Sequence, residues 1–158
     1  MLLQKPWMRR LIHYGALATR GMTLGVRGVA IDGEGRVCLV RHTYVPGWHL
    51  PGGGIEAGES AVTAMVREFR EEAEIVVDPG RPMRLHGFYH NLSAVGRDHV
   101  ALYVAAGFSV LAPKRPDREI AACGFFPLDA LPAETTAATR ARLREIREGL
   151  APPAQWQP

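Results

Sequence analysis

"REFREEAEI", Arg67–Ile75, places Glu68, Glu71, Glu72 and Glu74 within seven positions. On a helix advancing 100° per residue, Glu68, Glu71 and Glu72 fall within an arc of roughly 100°. Arg67, Arg70 and Glu74 point away from that arc. Just upstream, Val62, Met65, Val66, Phe69 and Ala73 recur at helical spacing, and Ser60 is a good N-cap after "AGE". The stretch therefore predicts a helix from about Ser60 to Ala73, with one face in the core and an acidic patch bordering it. Its plainest reading is a solvated charged face with Arg67–Glu71 and Arg70–Glu74 pairs. Against that stands Glu68–Glu72, a like-charge pair one turn apart, which costs a few tenths of a kcal/mol. A hard divalent cation such as Mg²⁺ or Mn²⁺, which prefers carboxylate, water and phosphate oxygens, would remove the repulsion.

Outward from this helix the chain alternates between strands and loops. "TLGVRGVAID" (Thr23–Asp32) and "RVCLVRH" (Arg36–His42) read as strands joined by "GEG", a turn signal, and so as a hairpin. "YVPGWHLPGGGIEAGES" is too rich in glycine and proline for more than a brief strand near Trp48. "MRLHGFYH" and "HVALYVAAGFSV" read as strands around the "NLSAVGRD" loop, and "IAACGFFPL" as the last strand. A second helix runs from about Thr135 to Glu148. Residues 1–20 contain an apolar stretch too short for a signal peptide; Leu11, Tyr14, Leu17 and Ala18 fit an amphipathic helix instead. Residues 21–150 form the expected domain, and "APPAQWQP" (151–158) is expected to be a loose tail.

The 158 residues suit one domain, and 47% hydrophobic and 22% charged residues suit a globular protein with a real core. The net charge of +3 is spread along the chain. It favours an anionic ligand, does not call for DNA, and leaves RNA open. Cys38 and Cys123 lie in apolar runs and read as reduced core cysteines of a cytoplasmic protein. No segment is long enough to cross a membrane.

Eight positions before Arg67 stands Glu59, and six before that Gly53. The whole stretch, "GGIEAGESAVTAMVREFREEAEI", resembles the Nudix box, G-x5-E-x7-R-E-U-x-E-E-x-G-U with U bulky and apolar. Gly53, Glu59, Arg67, Glu68, Phe69, Glu71, Glu72 and Ile75 match. Glu74 stands where the family has glycine, a difference of backbone geometry that removes no carboxylate from the arc. The resemblance implies an α/β/α sandwich around a mixed sheet. It also implies a Mg²⁺-dependent hydrolase (Mn²⁺ serving as well) of a diphosphate linkage in a nucleoside diphosphate joined to another group. It makes Glu68, Glu71 and Glu72 the metal ligands, with Glu71 also catalytic. Glu59 becomes structural, and Arg67 the residue that orients the acids. Gly52, Gly53 and Gly54 would face phosphates. A further acid from a later loop completes such sites; Glu119 is the candidate for fourth ligand or base, with Asp98 and Asp117 as rivals. Tyr44, Trp48, Phe88, Tyr89 and His90 are candidates to line a base pocket. An RNA 5′-pyrophosphohydrolase and a non-catalytic nucleotide-binding module are the alternatives, and a homodimer is compatible with either.

Overall fold

A computed structural model of the protein describes residues 14–16, 21–92 and 96–158. Residues 14–16 are helical; the rest of the expected N-terminal helix lies outside the described residues. The elements run β1 (Thr23–Val29), β2 (Arg36–His42), α1 (Ala61–Ala73), β3 (Ile75–Val77), β4 (Arg84–Asn91), β5 (Asp98–Val104), β6 (Phe108–Val110), β7 (Ile120–Pro127) and α2 (Ala137–Glu148). No described helix is long and apolar enough to cross a membrane.

Side chains alternate across a strand, and here the alternation builds two cores. Val26, Ala30, Cys38, Ala101 and Tyr103 pack with Met65, Phe69 and Ala73 of α1. Their neighbours Val29, Val37, Leu39 and Leu102 pack with Leu143 and Ile146 of α2. The strands are thus sandwiched between two helices, the expected α/β/α arrangement. The strand pairing is mixed: β1 pairs in parallel with β5, while β4 pairs antiparallel with β5 and β2 antiparallel with β7.

The β1–β2 hairpin is not the one expected. Asp32 closes the turn by accepting hydrogen bonds from the Glu34 and Arg36 amides, and Ile31 bridges Val37. Beyond that the strands separate. The edge of β1 that a hairpin partner would occupy is taken by the glycine-rich segment instead. Val26 N–H donates to Gly53 O, Gly28 N–H to Pro51 O, and Ile55 N–H to Leu24 O, each at 2.9 Å. Backbone groups on a buried edge must find partners, and this segment supplies them.

Two further expectations need correction. "HVALYVAAGFSV" is two strands, β5 and β6, and β6 pairs with the short β3. The tail is not loose. His90 N–H donates to Ala154 O, Trp156 N–H donates to His90 O, and Gln157 bonds Asn91 and the Leu92 amide. It extends the sheet at the free edge of β4, and Trp156 packs edge-on against Tyr89 at 5.4 Å. An open edge and a large aromatic ring each lose by staying in water.

On α1, Ser60 caps the start by accepting from Thr63 N–H. The buried stripe is Ala64, Met65, Glu68, Phe69, Glu72 and Ala73, whereas Val62 and Val66 are exposed. The helix is thus rolled so that two of its carboxylates lie inside. Glu74 ends the helix at φ 54°, the only non-glycine with positive φ among the described residues. A β-carbon in the left-handed region costs roughly 1–2 kcal/mol. Glu74→Gly should therefore stabilise the fold by about 1 kcal/mol, a rise in Tm of roughly 2–4 °C by calorimetry. An unchanged or lower Tm would show that the strain is relieved elsewhere.

Candidate active site

The glycine-rich segment is pressed between β1 and α1. A Cβ on Gly52 would strike the Val26 carbonyl, and one on Gly53 would come within 2.5 Å of Glu68 Oε1. Close approach, more than a turn, therefore requires these glycines. It brings the Gly52 amide to Glu72 Oε2 at 2.8 Å.

Arg67 gathers the acids, although the helical wheel aims it away from them. Its long side chain folds back: Nε donates to Glu59 Oε1 at 3.0 Å, Nη1 to Glu68 Oε1 at 2.7 Å and to Glu71 Oε2 at 3.2 Å, and Nη2 to Gly54 O at 3.1 Å. Its partnership with Glu59 holds the guanidinium charged and keeps the Glu59 carboxyl below its ordinary pKa.

Burial works the other way on the inner acids. It pushes Glu72 up to about 7 against the opposing pull of the Gly52 amide and Arg27, and it raises Glu68 as well. Glu71, by contrast, is exposed. All three line one cavity of about 460 Å³ with Asp117, Arg118, Glu119 and Ile120. Glu119 therefore opens onto the same space as the helix acids. Asp117 shares that space but is engaged: Lys114 and the amides of Glu119 and Ile120 hold its carboxyl down at about 2. Asp98 is elsewhere, bonded to Thr23 and Asn91 beside a smaller cavity behind Gly53 and Gly54.

The donors are hard oxygens, of the type that suits Mg²⁺ or Mn²⁺, and Glu68 and Glu72 among them are buried. In the present arrangement no three described Asp, Glu, His or Cys side chains meet at a single point. The reason is visible: Arg67 Nη1 holds Glu68 and Glu71, and Glu72 is turned to the Gly52 amide. The set fits such an ion chemically, with Arg67 standing in as the resident cation.

A second cavity of about 660 Å³ is walled by Arg41, His42, Thr43, Tyr44, Val45, Pro46, Gly47, Glu134 and Thr136. It adjoins the acidic one, because Thr43 N–H donates to Glu119 O and Thr43 Oγ1 to Arg118 O. Tyr44 is 68% exposed at its rim. The other aromatic candidates are committed elsewhere. Trp48 meets Phe126 edge-on at 4.9 Å, Tyr89 is fully buried and donates to Glu145, and Phe88 and His90 stack on His99.

Three neighbours escaped the sequence reading. Arg27, whose charge acts on Glu72 and Glu68, is half-buried with Nη1 donating to Leu50 O. Lys114 donates to Glu71 O at the end of α1. His42 is buried beside Glu72. A charged residue inside the apolar run "GVRGVAI" was the one available signal, for Arg27.

The NUDIX domain family model matches residues 21–146. A Bacillus subtilis (strain 168) protein named as a candidate 8-oxo-dGTP diphosphatase is 42% identical over 50 residues, 32% of this chain and 34% of that protein. An RNA pyrophosphohydrolase of Dinoroseobacter shibae is 45% identical over 49 residues, 30% of this chain and 31% of that one. The chain thus matches about a third of the length of each of these two curated relatives. Among solved structures, a MutT NUDIX hydrolase from Burkholderia pseudomallei superposes with a TM-score of 0.63 at 30% identity, covering 78% of this chain and 97% of that one. With three acids of the box on one cavity and the family model matching residues 21–146, this chain belongs to the NUDIX family.

Proposed function

We propose that this protein is a metal-dependent pyrophosphohydrolase that cleaves the diphosphate linkage of a nucleoside diphosphate joined to another group, by water attack at phosphorus. The observation that carries the reading is the meeting of Glu68, Glu71, Glu72 and Glu119 on one cavity beside a larger one edged by an exposed tyrosine. Glu68, Glu71 and Glu72 would hold Mg²⁺ or Mn²⁺, which when bound neutralises phosphate oxygens. Arg67 orients Glu68 and Glu71 through the hydrogen bonds that its Nη1 donates to both. Gly53 and Gly54 let phosphate come close without side-chain obstruction, the Gly52 amide being already engaged. Glu119 takes the proton from the attacking water. The large cavity takes the nucleoside, with Tyr44 stacking on the base.

Glu119→Gln is expected to lower kcat at least 10-fold while leaving KM within a few-fold, the pattern of a group acting in the transition state. Asp98→Asn and Asp117→Asn should change kcat far less. Normal turnover by Glu119→Gln alongside an inactive Asp98→Asn would move the base to the β4–β5 loop.

The substrate is decided by product release with Mg²⁺ from a panel: nucleoside triphosphates, 8-oxo-dGTP, ADP-ribose, NADH, nucleotide sugars, dinucleoside polyphosphates and 5′-triphosphate RNA. The likeness to an RNA pyrophosphohydrolase is the reason for the last member. No turnover of any member, with nucleotide binding intact, would support a binding module instead.

A further inference from the structure

His42 is 94% removed from solvent at the end of β2 (relative exposure 6%), and neither ring nitrogen has a hydrogen-bond partner. A histidine ring always carries at least one N–H, and a buried N–H without an acceptor is costly. Its surroundings offer one strong acceptor. Nδ1 stands 3.5 Å from Glu72 Oε1, just beyond hydrogen-bond length. The Tyr44 and His49 rings lie 5.2 Å and 5.7 Å away between centroids, and the Arg27 charge also acts on the imidazole. The β2–β7 register shifts by one residue between Arg41 and His42, the kind of irregularity that re-aims a side chain beside a functional site.

We propose that His42 is a positioning residue for Glu72: its Nδ1–H restrains Oε1 while the Gly52 amide holds Oε2, so that the carboxylate keeps the orientation in which it serves the acidic cavity. This rests on the assignment of Glu72 as a metal ligand. Glu72 is the inner acid, and Arg67, which holds Glu68 and Glu71, is not bonded to it. Gly52 and His42 are what hold it on either side. A ligating carboxylate gains from such outer partners, whose loss typically costs 10–100-fold in metal affinity or activity.

The test measures Mn²⁺ binding by electron paramagnetic resonance without nucleotide, then kcat and KM at saturating metal, on His42→Asn, His42→Gln, His42→Leu and Glu72→Gln. The asparagine amide takes the place of Nδ1; the glutamine amide lies one bond further along, nearer Nε2. We expect His42→Asn to bind Mn²⁺ within about 3-fold of wild type, and His42→Gln and His42→Leu to weaken it about 10-fold or more, with nucleotide KM within a few-fold in all three. If His42→Leu does not accumulate as folded protein, the comparison of the two amides decides alone. Wild-type Mn²⁺ affinity in His42→Gln, or equal loss in His42→Asn and His42→Gln, overturns the proposal, because the ring would then only fill space. Glu72→Gln separates the two readings. If it binds Mn²⁺ like wild type, the metal assignment fails and the His42 role falls with it. If it loses Mn²⁺ while the His42 variants keep it, only the His42 role is wrong.

Discussion

Replacing Glu71 or Glu72 with Gln is expected to lower kcat by a factor of at least about 100, or about 2.7 kcal/mol of transition-state stabilisation. Glutamine keeps the size of the side chain and one acceptor oxygen, and removes the charge. The fold should survive in both variants, since Glu71 is exposed and Glu72 is pushed up to about 7 without metal, so a neutral side chain is already tolerated there. Glu72 also sets a pH dependence in the metal-free protein. Its folded pKa lies above its ordinary value, so its contribution to stability is fully present below about pH 4.5 and is lost as pH rises through 7. Above pH 7, wild type in chelator should therefore melt lower than Glu72→Gln, and Mg²⁺ should remove the difference by stabilising wild type alone. Unchanged Mg²⁺-dependent turnover in both variants would remove the metal assignment. A wild-type Tm in chelator that rises from pH 6 to 8 relative to Glu72→Gln would contradict the burial argument.

Arg142→Met should be the most destabilising of the substitutions considered. The arginine is 1% exposed, pairs with Glu145 Oε1 at 2.6 Å, donates to Gln155 O at 2.8 Å and lies over the Tyr89 ring at 4.5 Å. Methionine fills much of the same volume but leaves Glu145 buried and uncompensated, with only the Tyr89 hydroxyl, and His86 at 3.5 Å, beside it. Breaking a buried pair in this way costs about 3–5 kcal/mol, a fall in Tm of roughly 10 °C for a chain of this size. The double variant Arg142→Met with Glu145→Gln should recover part of the loss, because no buried charge is then stranded. The tail should loosen in the single variant, seen as faster amide exchange at His90 and Trp156. A fall in Tm under about 2 °C, or no recovery in the double variant, would mean that the pair contributes little and Arg142 acts through packing alone.

The helix and its chemistry were legible locally. Ser60 as N-cap, the acids one turn apart, and the distances from Gly53 to Glu59 to Arg67 all act within a span that one helix and its entry loop complete. Most of the strands were legible too, because an apolar run such as "RVCLVRH" bounded by turn signals is a property of that segment alone. How far α1 is rolled was not. Val62 and Val66 share the apolar spacing of Met65 and Phe69, yet the docking against β1 and β7 leaves them in water and turns Glu68 and Glu72 inward. Nor does the helical wheel foresee Arg67, whose reach depends on where Gly54 and Glu59 are brought.

What the sequence by itself determined is the local material: a capped helix carrying a convergent acidic patch, a glycine segment able to pass close to other backbone, and apolar runs that form strands. Only the tertiary structure decided which strand edges meet. Competition for the edge of β1 was won by Pro51–Ile55 over β2, which separated the expected hairpin and set Gly52 against Glu72. The open edge of β4 drew in Ala154–Gln157, whose composition alone reads as a loose end. Glu119 and His42 reach the acids from segments far apart in the chain, through pairing of β2 with β7. Such contacts depend on long-range burial and on satisfying backbone groups across the whole domain, and no window of neighbouring residues contains that information.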